Sequence, residues 1–196
     1  FDWRVNYWAI AAMAAAASLV LYLRLPRGMH GDTQTMRERV RVMGNPGVLP
    51  TLIVSMLFWI GAAPVTVYIG AIMTSSGVRL EALPLVFLAG GIGALACSFF
   101  AGRVADRVGN RTAVMLASLI AIVLLAPYAA LPYLPEGVRL PALLVIVAIQ
   151  AYALWGHAIA IGSQMAHLVP SSVPVAISVN MSSFNIGMAI AAAFGG

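Results

Sequence analysis

Gln150, His157 and Gln164 stand seven residues apart inside an otherwise apolar run, Leu140–His167. A seven-residue step leaves a helix only about 20° out of register, so the three polar side chains fall on one stripe, with Tyr152 and Trp155 beside it. An amide, an imidazole and an amide along one helix face can line a water-filled passage and hydrogen-bond an uncharged or weakly acidic solute. His157 adds a titrating group, because an imidazole exchanges protons near neutral pH. The competing reading is that His157 is satisfied by a neighbouring helix and that Gln164 lies at the membrane interface. A second polar set follows in Val173–Gly196, where Asn180, Ser183 and Gly187 share one face and Ser178, Ser182 and Asn185 lie roughly opposite. One face can line the passage while the other bonds neighbouring helices, and the sequence leaves open which does which. In Leu49–Met73, Pro64 removes a helix hydrogen bond and is followed by Thr66 and Tyr68. That pattern fits a broken helix beside a solute site as well as an ordinary proline kink. The candidate solute-binding residues are therefore Gln150, His157, Trp155, Tyr68, Asn180 and Ser183.

The same inventory argues against an enzyme. Chemistry at bilayer depth needs a paired base and nucleophile, or a set of metal ligands, and no Asp or Glu lies in any apolar run. Cys97 is the single cysteine, too few for a disulfide or a thiolate metal site; it reads as a small packing residue. No cofactor or metal is expected. Gly91-Ile92-Gly93-Ala94-Leu95-Ala96 matches a dinucleotide fingerprint by letter only, since it lies inside an apolar run and follows no strand.

Positioning these residues requires a membrane bundle. The 196 residues are 62% hydrophobic and 9% charged, with a mean hydropathy of +0.96; this composition belongs to a membrane protein. A crossing helix needs roughly 20 mostly apolar residues. Six runs qualify: Val5–Leu25, Leu49–Met73, Leu83–Ala101, Thr112–Leu131, Leu140–His167 and Val173–Gly196. The expected class is all-α, a polytopic membrane helix bundle. Gly90, Ala94, Ser98 and Gly102 form one small-residue ridge for close helix packing, and Gly187, Ala191 and Gly195 form another. The net charge of +5 comes entirely from arginines in the connections, with no basic face interleaved with aromatics, so nucleic acid is not an expected partner. Arg24, Arg27, Arg37, Arg39, Arg41, Arg103, Arg107 and Arg111 fall on one side of the alternating spans, and Arg4, Arg79 and Arg139 on the other. Basic residues favour the cytoplasm, which places the polar stretch 26–48 inside the cell.

Gly102-Arg103-Val104-Ala105-Asp106-Arg107-Val108-Gly109-Asn110-Arg111 joins two of these runs as a tight charged turn. Arginines there anchor the hairpin by the positive-inside effect, an effect that leaves Asp106 unexplained. The segment resembles the G-x-L-A-D-R-x-G-R-R/K signature of the major facilitator superfamily of secondary transporters. Gly102, Ala105, Asp106, Arg107, Gly109 and Arg111 match, Val104 replaces Leu, and Asn110 stands where a basic residue is common. Asp2-Trp3-Arg4 is similar to the opening of the sixth helix of twelve-helix drug/proton antiporters. Asn180-Met181-Ser182-Ser183-Phe184-Asn185-Ile186-Gly187 resembles the eleventh helix of the arabinose-efflux-like branch.

The resemblance implies several things. Residues 1–25 would be the last helix of an N-terminal half, 26–48 the cytoplasmic linker between halves, and 49–196 helices seven to eleven. Helices one to five and twelve would then be missing, and a start at Phe1 rather than Met fits a fragment. Gly102, Arg103, Asp106, Arg107, Gly109 and Arg111 would form a conformational latch that holds the cytoplasmic side closed. The expected function is secondary active transport by alternating access: proton-coupled efflux of a small organic solute (drug, sugar or nucleoside class) across a bacterial inner membrane. The coupling carboxylate would lie in the missing half. A uniporter or importer of the same fold is the alternative, and a membrane-embedded enzyme or a channel a more distant one.

Overall fold

The computed structural model describes residues 3–24 and 35–194, and the chain divides into two units, Phe1–Thr33 and Gln34–Gly196. The first unit contributes one described helix, α1 (Trp3–Arg24). The second contains α2 (Met36–Met43), α3 (Val48–Val67), α4 (Ile69–Ser75), α5 (Leu83–Val108), α6 (Asn110–Val123), α7 (Leu125–Ala130), α8 (Glu136–Leu168) and α9 (Val173–Phe194). No strand occurs among the described residues. Six helical stretches among the described residues are long and apolar enough to cross a membrane.

Several boundaries refine the sequence expectation. The charged link is helical through Val108, so α5 carries Gly102, Arg103, Asp106 and Arg107 on its last turns. The reversal is confined to Gly109, whose φ of 83° is a left-handed conformation that glycine adopts without Cβ strain. The second run breaks at Tyr68, one turn beyond Pro64, into α3 and α4. The stretch 26–48 is not all irregular either. Residues 26–34 lie outside the described ones, but Met36–Met43 is a helix with a full capping box, Thr35 Oγ1 accepting from the Glu38 amide while the Glu38 carboxylate accepts from the Thr35 amide.

Within the second unit, α8 packs along α5 and α6, and α3 pairs with α9. Helices in lipid gain little from hydrophobic burial against one another, so close approach of small residues carries much of the packing. The ridge that packs on α5 is Gly93, Cys97, Ala101 and Ala105, all buried, rather than Gly90, Ala94, Ser98 and Gly102. A Cβ on Gly93 would strike the backbone carbonyl of Ala148 in α8, whereas one on Gly90 would only touch the Val147 side chain of α8 at 3.4 Å, Gly102 faces open space and Ser98 returns its hydroxyl to Ala94 O. Both stripes carry i, i+4 small residues, so the spacing could not tell them apart. On α9, Gly187 and Ala191 are buried, and a Cβ on Gly187 would lie 2.8 Å from Met56 O and 3.0 Å from Trp59 Cβ of α3; Gly195 lies outside the described residues.

Apolar clusters fill both ends of the bundle. Val65, Met73, Val86, Tyr128, Leu131 and Leu143 meet at one, and Val42, Leu52, Val114, Ile161, Met165 and Ala176 at the other. Between them Phe58, Ala62, Ala121 and Leu154 form a thin middle layer. The polar intramembrane side chains lie beside that layer.

Candidate functional site

Two open cavities flank Trp155 at the middle of α8. One, of about 280 Å³, lies between α3, α5 and α8 and is bordered by Gln150, Thr66, Phe87 and Gly90. The other, of about 380 Å³, lies between α3, α8 and α9 and is bordered by Ser55, Trp59, Thr66, Asn180 and Phe184. Thr66, Leu154 and Trp155 border both. Neither is lined by a charged residue. Trp155 is 58% exposed, a large aromatic held out over the partition between the cavities.

A buried amide borders each cavity, Gln150 the first and Asn180 the second. Gln150 is 3% exposed and neither its Oε1 nor its Nε2 has a hydrogen-bond partner; Asn180 is 8% exposed and its Oδ1 is likewise unpaired. Leaving such a group unsatisfied costs on the order of 1–3 kcal/mol. A native protein carries orphaned polar groups of this kind where something outside the static structure completes them, an ordered water, an ion or a ligand. Trp59 meets Phe184 edge to face, with centroids 4.5 Å apart and planes at 88°, and both rings border the 380 Å³ cavity with Trp155.

The remaining expected residues lie elsewhere. His157 is fully buried, and its ring stacks on Phe58 of α3 at 3.6 Å and 7°. It lines neither cavity, and both its nitrogens lack partners. The stripe through Gln150, His157 and Gln164 therefore changes surroundings along its length: Gln150 borders a cavity, His157 is packed away, and Gln164 donates from Nε2 to Thr51 Oγ1 at 3.2 Å. Tyr68 donates its hydroxyl to Ala192 O at 2.6 Å, tying the break after α3 to α9. Ser183 opens on a separate groove between α2, α3 and α9, beside Arg39 and Met43. So the face shared by Asn180, Ser183 and Gly187 splits, with Asn180 toward α8, Gly187 packed on α3 and Ser183 toward α2. Of the opposite set, Ser178, Ser182 and Asn185 all return their polar atoms to carbonyls of α9 itself. Ser55, Trp59 and Phe184 were missed by the sequence reading. Ser55, Trp59, Ala63 and Thr66 recur at helical spacing along α3, which was the available signal.

At the end of α5, Arg103 Nη1 donates to Phe99 O at 3.3 Å, while Asp106 and Arg107 are exposed. The Asp106 carboxylate makes no hydrogen bond or ion pair among the described residues. Asn110, at the start of α6, donates from Nδ2 to Ser163 Oγ at 2.9 Å, which fastens the turn to α8. Arg111 borders a further open cavity with Thr51 and Gln164. The uninterrupted α8 thus joins the turn, through Ser163, to Trp155 and Gln150. Among the described residues no three His, Cys, Asp or Glu side chains group as metal ligands.

Comparison with known proteins adds a family. The profile of the Major Facilitator Superfamily matches residues 1–192. The chain is 28% identical to the inner membrane transport protein YdhP of Escherichia coli, over 99% of this chain and 49% of that protein. It is 24% identical to the uncharacterized MFS-type transporter YtbD of Bacillus subtilis, over 100% of this chain and 50% of that protein. The chain spans about half the length of the curated relatives it matches. No solved structure matches it.

Proposed function

This chain belongs to the major facilitator superfamily, a family of membrane transporters, and from that premise we propose that it forms part of a secondary transporter working by alternating access. It is a multi-pass membrane protein. The observation that carries the reading is a pair of charge-free cavities that share Thr66, Leu154 and an exposed Trp155, one bordered by the buried amide of Gln150 and the other by that of Asn180. Such a face serves a solute that passes rather than one that reacts. In this reading α3 to α9 correspond to helices seven to eleven of a twelve-helix transporter. Solute is exported in exchange for protons, and the coupling carboxylate belongs to helices beyond this chain, since Glu81, Asp106 and Glu136 stand only at the ends of its spans. Residues 26–48 are cytoplasmic, as the arginine distribution favours.

Asp106 acts as the latch. A carboxylate at the membrane surface suits the positive N-terminal end of a neighbouring helix, and its lack of any partner among the described residues leaves it available to one on the opposing half. Asn110 and Ser163 transmit the state of that contact to α8, whose movement alters the Trp155 wall. Release of such a contact switches the bundle between discrete packings.

The test is accessibility in the full-length protein with Cys97→Ala. Cysteines at Thr66 and Ala158 should react with a water-soluble thiol reagent, while cysteines at Leu57 and Ile122, which border a cavity on the other side of α3, should not. Reaction confined to Leu57 and Ile122 would place the passage elsewhere.

A further inference from the structure

We propose that an anionic phospholipid binds in the crevice between α3 and α6, with its phosphate on Arg111 and one acyl chain running along Val54, Leu57 and Gly61. This site lies apart from the two cavities beside Trp155 and does not depend on which of them carries solute.

Three observations lead there. First, a cavity of about 410 Å³ at the starts of α3 and α6 is bordered by Thr51, Arg111 and Gln164 and by no acidic residue. Gln164 Nε2 donates to Thr51 Oγ1, which donates in turn to Gly47 O at 2.8 Å, so those two side chains are engaged. The exposed Arg111 guanidinium makes no hydrogen bond or ion pair among the described residues. A guanidinium holds a phosphate through paired N–H donors, and no carboxylate borders the cavity to compete for it. Second, the cavity continues into an apolar one. Val54 borders both it and an uncharged cavity of about 330 Å³ between α3 and α6. Leu57, Gly61, Ile122 and Leu125 border this second cavity over the buried Phe58 and Ala121. The lining advances in step on both helices, from Val54 and Met115 to Gly61 and Ile122. Its one hydroxyl, Ser118 Oγ, is turned back onto Val114 O at 2.9 Å, and a methyl at Gly61 would meet nothing within 4 Å. Third, the length fits one leaflet. Thr51 to Ala62 is eleven helical steps, roughly 16 Å at about 1.5 Å each, against about 15 Å for half of a hydrocarbon core. A free anion would use Arg111 and leave the apolar continuation empty, whereas a phosphate that carries an acyl chain uses both. A zwitterionic lipid would bring an ammonium toward Arg111, and an anionic headgroup brings none. The side of the membrane agrees, since the arginine distribution puts Arg111 at the cytoplasmic surface, where basic groups attract anionic lipids.

The experiment uses the full-length protein in detergent micelles with two photoactivatable lipids, phosphatidylglycerol and phosphatidylcholine, that carry the same diazirine-bearing acyl chain. Cross-linked peptides are read by mass spectrometry. Phosphatidylglycerol should label residues 54–61 and 118–125 about fivefold more than phosphatidylcholine, the advantage expected of one arginine at a lipid surface. Arg111→Gln should remove that preference and Arg111→Lys should keep it. Arg39→Gln, which changes an arginine on a different groove, should leave it intact. Unlabelled dioctanoyl phosphatidylglycerol should displace the label, and glycerol 3-phosphate at the same concentration and ionic strength should not. Equal labelling by the two lipids, or a preference that survives Arg111→Gln, would overturn the proposal. Displacement by glycerol 3-phosphate as strong as by the lipid would overturn it in favour of a free anion on Arg111. Labelling of other spans with none at 54–61 or 118–125 would overturn it in favour of a protein segment that fills the crevice.

Discussion

Gly93→Ala should destabilise the bundle, against the usual effect of replacing a helical glycine. Removing glycine from a helix interior gains roughly 0.8–1 kcal/mol of helix propensity. At Gly93 the added methyl would lie 2.8 Å from the Ala148 carbonyl carbon and 3.0 Å from its Cα, and would also clash with its carbonyl oxygen. Ordinary carbon–carbon contacts sit at about 3.5–4.0 Å, so α5 and α8 would have to part by roughly 0.5–1 Å. The obstacle is backbone on both sides, which no rotamer change relieves. Overpacking of this kind costs about 1–3 kcal/mol, and with an obstacle this rigid the upper end applies, for a net loss near 2 kcal/mol. At roughly 2–4 °C per kcal/mol for a domain of this size, the melting temperature should fall by about 4–8 °C. Gly91→Ala, where nothing lies within 4 Å of the new methyl, is the matched control and should melt at or slightly above the parent. Size-exclusion thermal melts in detergent, followed by tryptophan fluorescence, would measure both. If Gly93→Ala melts with the parent while Gly91→Ala falls, α5 packs on α8 through a different stripe.

His157 is buried with two unpartnered nitrogens against the Phe58 ring, so His157→Phe should hold or raise the melting temperature, whereas His157→Ala should lower it through a cavity cost of about 2–5 kcal/mol. A collapse of His157→Phe would show that the imidazole nitrogens are bonded in the working protein. Gln150→Leu removes an unsatisfied buried amide and should stabilise the solute-free protein by about 1 kcal/mol in the same melts while reducing solute-dependent protection at Ala158→Cys. Stability and function rising together in that variant would contradict a binding role for Gln150.

Much of the architecture was legible because the bilayer demands long apolar helices, which composition displays directly. The connection at Gly109 was legible too, since two glycines and four charges interrupt apolar sequence. Sequence could not tell that Gly102 to Val108 stay helical, because charged residues at a membrane surface are equally at home in a helix end or a loop. It also could not choose between the Gly90 and Gly93 ridges, which share one spacing and differ in how closely each meets the α8 backbone. At the site, Gln150, Trp155 and Asn180 stand out as polar or amphipathic groups in apolar runs, and the structure brings them to neighbouring cavities. His157 stands out equally, yet Phe58 covers it, and a single helix's periodicity carries no information about which neighbour will do so. Trp59 and Phe184 were hidden for the reverse reason, since aromatics in an apolar span look like packing until their partners are known.

The most direct measurement of the account is the sidedness of labelling at Ala158→Cys, in the full-length protein with Cys97→Ala, using an impermeant thiol reagent on right-side-out and inverted vesicles, with and without Asp106→Asn. Alternating access with Asp106 holding the cytoplasmic side closed predicts labelling from both sides in the parent. It predicts that Asp106→Asn speeds labelling from the cytoplasmic side and slows it from the outside. An unchanged ratio, or labelling that Asp106→Asn speeds equally from both sides, would contradict a latch coupled to this cavity.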